Sequence, residues 1–326
     1  MKLTEHFRLA VAVLLVASAG MLRGGEPPEA FRGWSSFEKI DLAKLARGKI
    51  ATECNASMDF ARGLSAQAAY VVAASPAAAV RVLVSPDPAR NTDPDICRRR
   101  FFHSEAEAEF AKLVLDAKSK PVRALLEAMR ARDGLHLSRE EITQLPAVAP
   151  VDEAQRFWAG VARRRWSQAA QHGDLGATDA FNIRNEIASL LKGEGRIARH
   201  FSALLAPLTQ AGSFGSPAAY YWDVADVNHI ATLELGAIFT RTADDREQVL
   251  DVAYYAGSGY LVSVTLYELA PVTIDGQPRT LVWQGCLVSA PALAGGFGVK
   301  RQIASHLMTG DLEESARAFQ KDAAAR

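Results

Sequence analysis

The chain has 326 residues, 49% of them hydrophobic and 23% charged, with 37 basic side chains against 37 acidic ones. That is the composition of an ordinary globular protein able to bury its own core. The even balance excludes the basic excess on which nucleic-acid and anionic-membrane surfaces depend, so the runs Arg98–Arg100 and Arg163–Arg165 read as solvated local charge.

The first element in chain order is an address. Lys2 and Arg8 precede the apolar run Leu9–Ala17, and Ala17-Ser18-Ala19 supplies small residues of the A-x-A type. This is the layout of a secretory signal peptide. The run is well short of the roughly 20 apolar residues a membrane span needs, and Arg23-Gly24-Gly25 stops it. No later apolar run approaches that length. The expectation is export to the periplasm or the medium, loss of residues 1–19, a linker over 20–36, and no membrane span in the mature chain. Cys54, Cys97 and Cys286 are scattered, without zinc-site spacing. In an oxidising compartment Cys54 and Cys97 are the pair expected to bond, with Cys286 buried in a strand.

Residues 37–326 read as a single α+β domain. Phe37, Ile40, Leu42 and Leu45 fit a short helix capped by Ser36. Strands follow near 49–55 and 65–74. Ser75-Pro76 then opens a helix with Val80, Leu83 and Val84 as its apolar face, and Pro86-Asp87-Pro88 ends it. From about 104 to 210 the apolar spacing is helical. One stripe is Phe110, Leu113, Val114 and Ala117, and another is Val122, Leu125, Leu126 and Met129. Phe157, Trp158 and Val161 form a third, and Ile183, Ile187, Leu190 and Leu191 a fourth. Ser138 with Glu141 is a capping box.

From about 219 to 290 the period becomes two. Four antiparallel strands are predicted near 229–241, 247–256, 260–270 and 279–289, as a meander with one wetter face. Asp275-Gly276 marks a hairpin. A closing helix over about 297–322 places Val299, Ile303, Leu307, Leu312, Ala316 and Phe319 on one side, with Gly310 as a break that Asp311 and Glu314 recap.

Two stretches resemble the START-like, helix-grip superfamily. One is Tyr70–Leu83, where a strand passes through Ser-Pro into a short amphipathic helix. The other is the meander feeding a helix near Gly298. The resemblance implies a curved sheet wrapped around a long helix, often enclosing an apolar ligand cavity. It carries no site residues.

Chemistry is sparse. Asp223-Val-Ala-Asp226-Val-Asn228-His229 is the best polar cluster, able to hold a metal or share a proton in a helix or loop. In a strand, an offset of three sends its members to opposite faces. The bland reading is a polar turn before the meander. Tyr220-Tyr221-Trp222 beside it suits sugar or cation recognition, or packing at a sheet edge. Ser189-Leu-Leu-Lys192 and Ser36-Phe-Glu-Lys39 match S-x-x-K without the companion elements of that enzyme class. Gly193-Glu-Gly195 and Gly295–Gly298 read as joints.

Three functions follow from these residues. The first is non-enzymatic binding of an apolar small molecule or an envelope protein, with Leu233, Leu235, Val262, Val264 and Trp283 lining a cavity and no cofactor or metal. The second is an exported hydrolase or metal-dependent enzyme using Asp223, Asp226 and His229. The third is a purely structural envelope protein.

Overall fold

The computed structural model describes residues 31–55, 58–84, 99–103, 106–146, 150–176, 181–210, 212, 214–295 and 299–325, with side chains at 106–107 and 299–300 excepted. The signal-peptide segment, Pro86–Pro88, Cys97 and the glycines at 296 and 298 lie outside those residues, and with Cys97 so does its pairing with Cys54.

Among the described residues, eight strands make one antiparallel sheet. They are β1 (Ala51–Asn55), β2 (Gly63–Val72), β3 (Arg100–Phe102), β4 (Ala219–Val227), β5 (Ile230–Ala243), β6 (Arg246–Ala256), β7 (Val262–Ile274) and β8 (Gln277–Ser289). Their spatial order is β1-β2-β8-β7-β6-β5-β4-β3, so strands from the N-terminal part close both edges of the C-terminal meander. The turns explain the register. Asn228 and His229 both adopt positive φ (52° and 68°), as do Asp275 and Gly276 (51° and 72°). Paired positive φ is the type I′ geometry that matches strand twist.

Helices lie between the N-terminal strands and the meander, and one helix follows it, which is the α+β order predicted. They are α1 (Leu42–Ala46), α2 (Pro76–Val84), α3 (Ala106–Phe110), α4 (Lys120–Ala131), α5 (Arg139–Thr143), α6 (Val151–His172), α7 (Ile183–Gly193), α8 (Gly195–His200), α9 (Ser202–Thr209) and α10 (Val299–Ala324). The capping box forms as read: Ser138 Oγ accepts from the Glu141 N–H, and the Glu141 carboxylate accepts from the Ser138 N–H.

Helices cover both faces of the meander, and the face under α2 and α10 is the wetter one. Alternation sends Trp222, Leu235, Val264 and Trp283 to a large core shared with α4, α6, α7 and α9. It sends Tyr70, Val249, Leu269 and Val282 to a smaller core under α2 and α10. A two-stranded period cannot tell a solvated face from one built of small, polar and aromatic residues beneath a helix.

Several boundaries move. α1 begins five residues after Phe37, because Asp41 rather than Ser36 caps it, accepting from the Lys44 N–H. The Ser36 N–H donates instead to Gln67 Oε1. Phe31 and Trp34, placed in the linker, are buried in the large core. Trp34 stacks on His200 at 4.0 Å, and that histidine is in turn held by Glu268 at 3.1 Å. α3 ends at Phe110, which leaves Val114 exposed. α10 runs straight through Gly310, whose surroundings are open. Its buried face is Leu312, Ala316, Phe319 and Ala323, whereas Ile303 and Leu307 are 55% and 60% exposed. One glycine costs a helix about 1 kcal/mol, less than burying that face contributes.

Candidate functional site

The face under α2 and α10 holds a row of ionisable side chains at the β3–β4–β5 end of the sheet. β3 pairs Arg100 with Trp222 and Phe101 with Tyr221. One step further along that register brings Arg99 against Asp223, and Arg99 Nε donates to Asp223 Oδ2 at 2.9 Å. β5 pairs Glu234 with Asp223 on the other side. The Arg99 guanidinium also lies 3.7 Å from Asp251 Oδ2 on β6, and 4.4 Å from the centroid of the Tyr221 ring.

Tyr221 reaches Asp251 by crossing β5 at Gly236, its register partner. A Cβ at Gly236 would overlap the Tyr221 ring. Without one, the ring lies across the strand and its hydroxyl donates to Asp251 Oδ1 at 2.7 Å.

Burial opposes every negative charge in this group. It pushes Glu234 well above the usual carboxylate range, and the charge of Asp223 adds to the shift. Burial also raises Asp223 and Asp251, against the pull of Arg99. Asp223 is wholly buried, and its Oδ1 meets no N–H or hydroxyl donor. The Glu234 carboxyl, which keeps its proton to higher pH, is the group placed to supply one. Burial, then the neighbouring Glu234, likewise holds the Tyr260 phenol in its neutral form.

Beside this row opens a cavity of about 710 Å³ between the sheet and the two helices. Glu234, Asp251, Tyr260 and Arg99 lie in its wall. Leu83 of α2 and Val288 of the sheet give it apolar surface, and α10 supplies Leu307 and Phe319. Small-molecule sites span about 300–1,000 Å³ with this mixture of apolar wall and few polar groups.

The residues singled out from sequence fall apart in an instructive way. Asp223 belongs to the buried row. Asp226 and His229 line the same cavity, at the end of β4 and in the β4–β5 turn. They do not converge with Asp223 as a metal centre needs: strand alternation separates Asp223 from Asp226. Among the described residues no three His, Cys, Asp or Glu side chains come together to hold a metal. Leu233, Leu235, Val262, Val264 and Trp283 are packed into the large core, 3% exposed or less, on the opposite face from the cavity. The cavity lies beneath the closing helix, but the other alternate set of strand residues lines it.

Tyr220 and Trp222 are core residues, and only Tyr221 faces the cavity side. Ser189 Oγ donates to the Asn185 carbonyl within α7, an ordinary helix contact. Gly193 lets Met58 pack close, so that joint is a packing site. Cys54 is exposed on β1, and Cys286 is half-buried near Ser263 and Thr265. Sequence reading missed Glu234, Asp251, Tyr260 and Arg99. The detectable signal for the first two was a carboxylate at an alternating position inside an otherwise apolar strand.

The chain is similar to a START superfamily protein from Mycobacterium smegmatis, at 13% identity and a TM-score of 0.23. The match covers 31% of this chain and 62% of that one, and it carries no argument about the site. No protein-family model and no curated protein matches the chain.

Proposed function

We propose that the protein is exported and binds a small amphipathic molecule in the cavity between the sheet and α10, without chemistry on it. The observation that supports this reading is the cavity itself, about 710 Å³ with an apolar wall and buried carboxyls at one end. A filled core would leave no such space, because protein interiors pack as densely as organic crystals. The reading keeps the helix-covered location of the binding hypothesis and replaces its lining residues. It also replaces a wholly apolar ligand by one with a polar end, since a desolvated carboxyl facing a purely apolar molecule loses its hydrogen bonds without return.

Native mass spectrometry of the protein purified from its own cells tests the reading. The expected result is a bound small molecule that is absent from Ala318→Trp, which fills the cavity from α10. A molecule retained equally by that variant contradicts it. For export, N-terminal sequencing of the same preparation is expected to begin at Gly20; an intact Met1 start speaks against cleavage.

A further inference from the structure

The charge of the cavity differs sharply from that of the chain. Overall the protein is balanced, 37 against 37. The cavity wall carries Asp226, Glu234, Asp251, Asp311, Glu314 and Asp322 against Arg99 and the imidazole of His229 in the β4–β5 turn. Three of these acids come from the sheet and three from α10, so negative charge faces the space from both sides. Asp311 and Glu314 are exposed and give the entrance a field that draws cations. Glu234 is 6% exposed. Behind it stands Asp223, wholly buried, whose Oδ1 has the Glu234 carboxyl as its neighbouring donor.

The protein already shows how a cation is held here. The Arg99 guanidinium sits between the carboxylates of Asp223 and Asp251 and over the face of Tyr221. Tyr260, Tyr267 and Phe319 present further aromatic surface to the open part of the cavity. Carboxylates combined with ring faces are the chemistry that recognises organic ammonium groups. A bare metal ion is not the match, since the donors are spread apart.

We infer that the cavity selects an amphipathic organic cation, with its ammonium or guanidinium group beside Glu234 and Asp251 and its apolar part along Leu83, Val288 and Phe319. The inference rests on the binding function proposed above. The cation takes the place of the proton on Glu234, so binding releases that proton and strengthens as pH rises.

The test is calorimetric titration of the mature protein with three amphiphiles sharing a dodecyl tail, each below its micellar concentration. These are dodecyltrimethylammonium, dodecyl glucoside and dodecyl sulfate. The trimethylammonium compound is expected to bind at least about tenfold more tightly than the glucoside, with the sulfate weakest. Its affinity should rise from about pH 5 to about pH 8 while that of the glucoside stays level. Glu234→Gln and Asp251→Asn should each remove most of the cation's advantage and leave glucoside binding within about twofold. Glucoside binding as tight as that of the cation overturns the inference and leaves the cavity function standing, provided Ala318→Trp abolishes it. Failure of all three to bind overturns both.

Discussion

Glu234 sits where its surroundings oppose its charge, and that has a measurable cost. Its folded pKa is raised by burial and by Asp223. A raised carboxyl contributes most below its unfolded value, and the contribution is lost as pH climbs through the folded one. Replacing it by Gln removes the penalty at high pH only. Glu234→Gln is therefore expected to raise the melting temperature by roughly 2 °C near pH 8, and by less near pH 5. Equal shifts at both pH values in differential scanning calorimetry would contradict the assignment. Gly236 makes the opposite case. Gly236→Ala drives a methyl into the Tyr221 ring and breaks its bond to Asp251, at a cost of about 3 kcal/mol in denaturant unfolding. A neutral effect would mean that the ring does not cross the strand there. At this scale the sequence was only partly legible. Asp223 drew attention because polar residues clustered around it. Arg99 did not, because a short basic run looks solvated until a three-residue strand carries it to a buried partner.

α10 roofs the cavity, and Phe319 anchors it, packing edge-on to Tyr70 and Tyr267. Phe319→Ala should lower stability by about 3 kcal/mol and enlarge the cavity. Urea unfolding measures the first effect, and a loss under about 1 kcal/mol would show that the helix is held elsewhere. The helical block has its own clip. Glu141 both caps α5 and pairs with Arg165 of α6 at 2.6 Å, both side chains being buried. Glu141→Gln is expected to cost more than Ser138→Ala, about 3 kcal/mol against about 1, because it removes the negative charge beside a buried guanidinium. Equal losses would reduce Glu141 to its capping role. Elements with strong periodicity were readable in advance: α4, α7 and the hairpin at Asp275-Gly276 lie where the pattern puts them. β4 was read as a turn because two aspartates interrupt its alternation. One of them is stabilised by Arg99 from a distant part of the chain, which no local pattern reveals.

The whole molecule is a sheet with a helical layer on each face, and the layers differ in kind. One packs large apolar and aromatic side chains without a ligand-sized gap among the residues once expected to line one. The other leaves the cavity, open to solvent on one side, and the carboxyl row. The α+β order and the closing helix were legible because they depend on periodicity alone. Which face hides the open space was not, since both strand sets are apolar enough to be buried and only the helices above them decide. Among the described residues no helix is long and apolar enough to cross a membrane.

The central claim is that the buried carboxyl end of the cavity seats an organic cation. A carbon-13 NMR titration of the Glu234 carboxyl, assigned with Glu234→Gln, tests it most directly. The carboxyl should titrate well above the ordinary glutamate value in the free protein. It should move down when dodecyltrimethylammonium is added and stay in place with dodecyl glucoside. An ordinary titration in the free protein, or the same shift with both amphiphiles, would contradict the account.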